Sequence, residues 1–156
     1  MKSLKQMLAV MLVLPWLLVA NVSADDVSRA VYHVDFEDPD RYSATLTSIN
    51  NMLNAYENDL AEYDVSIVFV GLGVRFITDD PRAGETARLT ERRFELKGRL
   101  NALQSIREVK LVACNNTVEE FGLTDKELYD GVEVVPSGVV QLAKLQKEGA
   151  AYIKIQ

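Results

Sequence analysis

Val109-Lys110-Leu111-Val112-Ala113-Cys114-Asn115-Asn116-Thr117 is the stretch whose reading decides the fold. It reads as a buried strand that ends at the only cysteine of the chain. A helix start follows at once: Asn116 is a capping residue type, and Glu119 stands where a capping box places its carboxylate. The thiol of Cys114 is therefore expected at the carboxyl end of a strand, just before a helix N-terminus. Open α/β sheets keep their ligand and reaction sites at that edge. A helix N-terminus also favours an anion, which eases ionisation of a thiol placed there. A lone free cysteine more commonly packs as a small hydrophobe. Both readings of Cys114 stay open on position alone.

Upstream, the chain begins with a segment of a different kind. Lys2 and Lys5 precede an almost wholly apolar run over residues 7–20, and Val22-Ser23-Ala24 offers small residues where a signal peptidase reads. The pattern predicts a secretory signal peptide over residues 1–24, cut after Ala24. The apolar run is shorter than the roughly 20 residues of a membrane-spanning helix, so no stable membrane insertion is expected after cleavage. The remaining chain, residues 25–156, is one domain with a single core. Its expected destination is the periplasm. The whole chain carries a formal net charge of -6, and the signal takes two lysines away with it. That acidity argues against nucleic acid and anionic membrane surfaces as main partners. Exported proteins usually carry cysteines in pairs; a single one must be buried, bridged to another chain, or chemically used.

The pattern of the domain alternates. Residues 29–34 read as a strand, followed by an acidic turn over 35–40. Tyr42, Leu46, Ile49, Leu53 and Tyr56 form the stripe of an amphipathic helix. Residues 65–70 are too uniformly apolar to alternate, as in a central parallel strand covered on both faces. Gly71-Leu72-Gly73 turns the chain, residues 74–78 are expected to continue as an irregular extended segment, and 79–84 form a loop. A second helix spans 85–106, with Leu89, Phe94, Leu96, Leu100, Leu103 and Ile106 as its apolar contacts. Arg92, Arg93, Lys97 and Arg99 interleave with Glu91 and Glu95 as a solvated face, Glu95 and Arg99 forming an i,i+4 pair. After Cys114 come a short helix over 116–121, a helical turn over 124–128 and a strand over 131–135. Ser137 caps a last helix that Gly149 ends, and residues 151–155 close the chain as a fifth strand. This alternation means an α/β layered domain with a largely parallel sheet of five strands.

Familiar sites are few. Gly71-Leu72-Gly73-Val74-Arg75-Phe76 starts like a dinucleotide fingerprint, but Phe76 stands where the third glycine belongs, and no P-loop lysine follows. Ser137 lacks the elbow of a hydrolase nucleophile. One histidine and one cysteine with no ligand spacing give no metal site and no cofactor site. His33 ends the first strand, at the same sheet edge as Cys114. A contact between the two would activate the thiol, but strand order and the face of each side chain are not legible here. Arg75 reaches that edge by the same logic, either to hold an anionic sulfur species or, more simply, to pair with a carboxylate.

Three segments carry a resemblance: residues 112–117 (Val-Ala-Cys-Asn-Asn-Thr), 131–139 (Gly-Val-Glu-Val-Val-Pro-Ser-Gly-Val), and Leu142 with residues 145–153 (Leu-Gln-Lys-Glu-Gly-Ala-Ala-Tyr-Ile). Together they resemble the DsrE/DsrF-like (YchN-like) sulfur-relay family, and Gly71-Leu72-Gly73-Val74 fits the turn after that family's second strand. The resemblance implies a compact three-layer α/β sandwich that assembles into trimers or hexamers. It further implies that a cysteine at the Cys114 position carries sulfur as a persulfide in a relay between protein donors and acceptors; at the expected helix start, the amides of Asn115, Asn116 and Thr117 would stabilise its charge. His33 and Arg75 are helpers at most. Two departures stand out: the chain carries an export signal, and Val70 stands where some members have a histidine before the glycine turn. The alternative is a non-catalytic oligomeric accessory protein on the same scaffold, with Cys114 packed and inert.

Overall fold

A computed structural model describes residues 27–156, so the expected signal peptide and its cleavage site lie outside the described residues. The chain runs β1 (Ser28–Val34), α1 (Pro39–Asn58), β2 (Tyr63–Phe69), α2 (Ala87–Arg107), β3 (Lys110–Cys114), α3 (Asn115–Glu120), β4 (Val132–Val135), α4 (Gly138–Lys147) and β5 (Ala151–Ile153). Three short 3-10 turns, Gly71–Phe76, Pro81–Ala83 and Asp125–Glu127, fill the connections. The five strands form one sheet in the order β4-β3-β2-β1-β5, and every pairing is parallel.

The layers follow from side-chain alternation. One face of the sheet shows Ala30, Tyr32 and Val34 of β1, Val65, Ile67 and Phe69 of β2, and Leu111 and Ala113 of β3, packed against the buried stripes of α1 and α2. The other face shows Val31, Val68, Val112 and Val135, covered by Leu142 of α4. Central strands buried on both faces have no polar alternation, which is why 65–70 reads as a continuous apolar run. Steps from β1 through β4 march across the sheet, while β5 returns to the far edge beside β1. That return carries α4 to the face opposite α1 and α2, as right-handed crossovers require.

Three expectations need correction. Residues 74–78 do not continue as an extended segment. The chain coils as a 3-10 turn because Val74, Phe76 and Ile77 turn inward and are buried, with Phe76 stacked on Tyr42 at 4.0 Å. Phe94 and Ile106 are not core contacts of α2: they are 94% and 75% exposed. The buried stripe is Leu89, Leu96, Leu100 and Leu103, and Phe94 lies two residues, about 200°, round the helix from Leu96. Finally, Asn116 does not cap α3. The helix starts at Asn115 with Cys114 itself as the N-cap residue, and Asn115 Nδ2 donates to Glu119 at 2.8 Å. The reciprocal capping box occurs instead at Thr124 and Glu127.

Candidate functional site

Cys114 ends β3, and the next residue begins α3. The residues of α3 pack with the α1 and α2 side of the sheet, whereas neighbouring β4 leads into α4 on the opposite face. Adjacent parallel strands whose following helices leave to opposite faces open a crevice beyond their carboxyl ends. Cys114 lies at that place. Gly138, the first residue of α4, closes on it: a Cβ there would stand 3.0 Å from Cys114 Cβ and 2.7 Å from Val70 Cγ2. Only a glycine lets the α4 N-terminus come so near.

The thiol is buried, with 4% of the residue exposed. Burial by itself pushes a thiol up, because it disfavours the anion. Here the N–H groups of Gly138, Thr117 and Asn116 and the hydroxyl of Thr117 outweigh burial, and the net effect holds Cys114 below the ordinary cysteine range. Asn116 and Thr117 are the second and third residues of α3, whose amides an N-cap side chain normally accepts. The neutral thiol makes no capping hydrogen bond, so these donors are left for the thiolate. The buried Thr117 hydroxyl also accepts from the Gly71 N–H at 2.9 Å, tying the turn after β2 to the site.

His33 and Arg75 do not join this cluster. His33 shares the α4 face of the sheet, but β2 stands between β1 and β3. Its register partners, Val68 and then Val112, put it roughly 12 Å from Cys114 by strand spacing and rise. Its Nδ1 lies 2.8 Å from the Tyr152 hydroxyl and its Nε2 3.9 Å from Asp35 Oδ2. Burial lowers this imidazole and outweighs the upward pull of Asp35. Arg75 pairs with Glu37, and its Nε donates to the Ala83 carbonyl at 2.8 Å, which is the simpler of its two roles. Asn115 turns its side chain to Glu119.

Gly138 is the residue at this site that the sequence did not single out; it stood only in the Pro-Ser-Gly turn and within the 131–139 segment. A cleft of about 780 Å³ lies elsewhere, by Asp79, Lys97 and Tyr129, and takes in none of Cys114, His33 or Arg75. Among the described residues no group of His, Cys, Asp and Glu could hold a metal ion, and no helix is long and apolar enough to cross a membrane.

A wholly parallel five-stranded sheet between helical layers, with one thiol at its carboxyl edge, defines a three-layer α/β domain. The chain belongs to the DsrE/DsrF-like family, whose profile matches residues 30–155. Among solved structures it is similar to a protein of unknown function, MTH1491 from Methanobacterium thermoautotrophicum. That match has 28% identity and a TM-score of 0.64, covering 81% of this chain and 98% of the other. The YchN protein of E. coli matches in fold, at 16% identity and a TM-score of 0.52, over 82% of this chain and 99% of YchN. No curated protein matches significantly.

Proposed function

We propose that this protein carries sulfane sulfur as a persulfide on Cys114 in a relay outside the cytoplasm. What supports the reading is the set of donors beside the sulfur: the N–H groups of Gly138, Thr117 and Asn116 and the Thr117 hydroxyl, which together hold the thiol low against the upward push of burial. A thiolate is the nucleophile in sulfur exchange. In loading, the Cys114 thiolate attacks a sulfur of an inorganic polysulfide, forming Cys114–S–S⁻ and releasing a polysulfide one atom shorter with both its charges. In delivery, an acceptor thiolate attacks the outer sulfur, takes it as its own persulfide and restores the Cys114 thiolate. No net oxidation occurs, and no second cysteine is needed. The same donors serve the terminal sulfur anion of the loaded form.

The reading includes export to the periplasm, as the pattern of residues 1–24 predicts, and assembly into a trimer or hexamer, as the family resemblance implies. N-terminal sequencing of the protein from a periplasmic fraction should begin at Asp25, and light scattering should give three or six chains. Intact mass tests the chemistry. Polysulfide should add whole sulfur atoms that a reductant removes, and Cys114→Ser should abolish the gain while leaving the protein folded. A variant that still loads overturns the assignment.

One observation favours the second reading, a packed and inert cysteine in an accessory protein: the residue is only 4% exposed. Thiol labelling of the native protein separates the two. Rapid labelling near neutral pH belongs to a carrier, and labelling confined to the unfolded protein belongs to a packed residue.

A further inference from the structure

The outer surface of the α1 and α2 layer departs from an ordinary solvated one. Between Arg41 and Glu57 the sequence of α1 has no charged residue, in a chain that is 26% charged. Its exposed side is Ala44, Thr47, Asn50, Asn51, Asn54 and Ala55. Beside it, α2 projects Phe94, which is 94% exposed. Four residues on, Gly98 lies mid-helix and exposed, and a Cβ there would meet nothing within 4 Å. A glycine weakens a helix interior, and no crowding within the chain requires one at this position. A lone exposed aromatic is ordinary. A charge-free surface beside it is not, because depletion of charge around an aromatic marks the buried centre of protein interfaces.

We propose that this face pairs with the same face of a second copy of the chain, α2 packing antiparallel on its counterpart about a two-fold axis beside Gly98. Residues i, i+3, i+4 and i+7 of a helix frame a hole that takes one side chain from a facing helix. Gly98, Asn101, Ala102 and Ser105 are such a set, all exposed and all short. The hole is centred about 5 Å past Gly98, and Phe94 stands about 6 Å before it, at the helical rise per residue. A two-fold axis at Gly98 therefore seats each Phe94 in the other chain's hole, and the missing Cβ lets the two helices cross closely. The charges agree with this register. Glu95 and Arg99, 3.1 Å apart within one chain, lie on the α1 side of the ridge, where Arg99 also holds Ser43 and Thr47. The axis brings the partner's Arg99 within about 3 Å of Glu95 along the helix, so that two ion pairs close into one ring of alternating charge. On the same side, each α1 meets the charge-free surface of the other. A two-fold contact uses one self-complementary patch twice, which is why a second copy is the occupant. The pairing does not depend on the chemistry of Cys114. Of the two assemblies proposed above, three chains or six, only six contains a two-fold axis.

The test is the mass of the purified protein in solution, by light scattering, for wild type, Phe94→Asp, Gly98→Leu and, as a control, Leu60→Asp. Leu60 is as exposed as Phe94, at 93%, but lies in the turn between α1 and β2. Wild type should hold an even number of chains, and Phe94→Asp half that number at the same concentration. Gly98→Leu should halve the mass too while keeping the wild-type circular dichroism, since its side chain has space within its own chain and none between crossed helices. Leu60→Asp should keep the wild-type mass. An odd number of chains in wild type, one included, overturns the proposal. So does wild-type mass in Phe94→Asp or in a folded Gly98→Leu, and so does an equal loss in Leu60→Asp. A three-chain wild type that still gains sulfur from polysulfide removes the pairing and leaves the carrier function standing; a paired protein that gains no sulfur does the reverse.

Discussion

Cys114 occupies the place that serine, threonine, aspartate or asparagine normally takes at a helix start, and the N–H groups of Asn116 and Thr117 help to hold its thiol low. The Gly138 N–H, at the start of α4, adds to that effect. Gly138→Ala puts a methyl group 2.7 Å from Val70 Cγ2 and 3.0 Å from Cys114 Cβ, so α4 must back away. The expected cost is about 1–3 kcal/mol in chemical denaturation. The Cys114 midpoint should also rise as the Gly138 amide is withdrawn. A variant unchanged in both would contradict the geometry described. At this scale the sequence was legible only in part. Cys114 announced itself, because an apolar strand run ends there and a helix-start pattern follows. Gly138 did not, since its nearness depends on β4 lying beside β3 and on α4 crossing the opposite face. His33 was misleading for a related reason: it reaches the right edge and the right face, but β2 separates it from the thiol.

At the scale of elements, α1 was the most legible, because Tyr42, Leu46, Ile49 and Leu53 repeat with the helical period and are all buried. Its start depends on Asp38, whose Oδ1 accepts from the N–H groups of Asp40 and Arg41 at 2.8 and 3.1 Å. Asp38→Ala should cost about 1 kcal/mol, read as a lower thermal midpoint. A midpoint unchanged from wild type would show that the cap is dispensable. In α2, composition concealed the register: Phe94 and Ile106 are apolar, yet they stand off the Leu89, Leu96, Leu100 and Leu103 stripe. The contact of β1 with β5 has its own pH dependence. His33, beside Tyr152, is held below its ordinary value of 6.5 by burial, so the unfolded chain binds a proton that the folded one resists. Stability from this group is thus fully present above 6.5 and falls as pH drops from there through the lower folded value. His33→Gln should flatten that part of the stability profile, and an unaltered slope would assign it to other groups.

For the whole molecule, the alternation of strand and helix patterns was enough for a layered parallel α/β domain, and the order β4-β3-β2-β1-β5 was not. Order is set by which helix covers which face, and that depends on contacts between segments far apart in sequence. It is also what creates the candidate site: the helices after β3 and β4 leave to opposite faces, and the one cysteine ends β3 at that sheet edge. Fold alone does not decide chemistry, so the central claim rests on whether that cysteine takes up sulfur. The most direct measurement is the intact mass of the purified protein before and after brief exposure to polysulfide, with Cys114→Ser alongside. The account predicts a gain of whole sulfur atoms that reductant reverses and the serine variant lacks. No gain on a folded sample, or an equal gain on the variant, would contradict it.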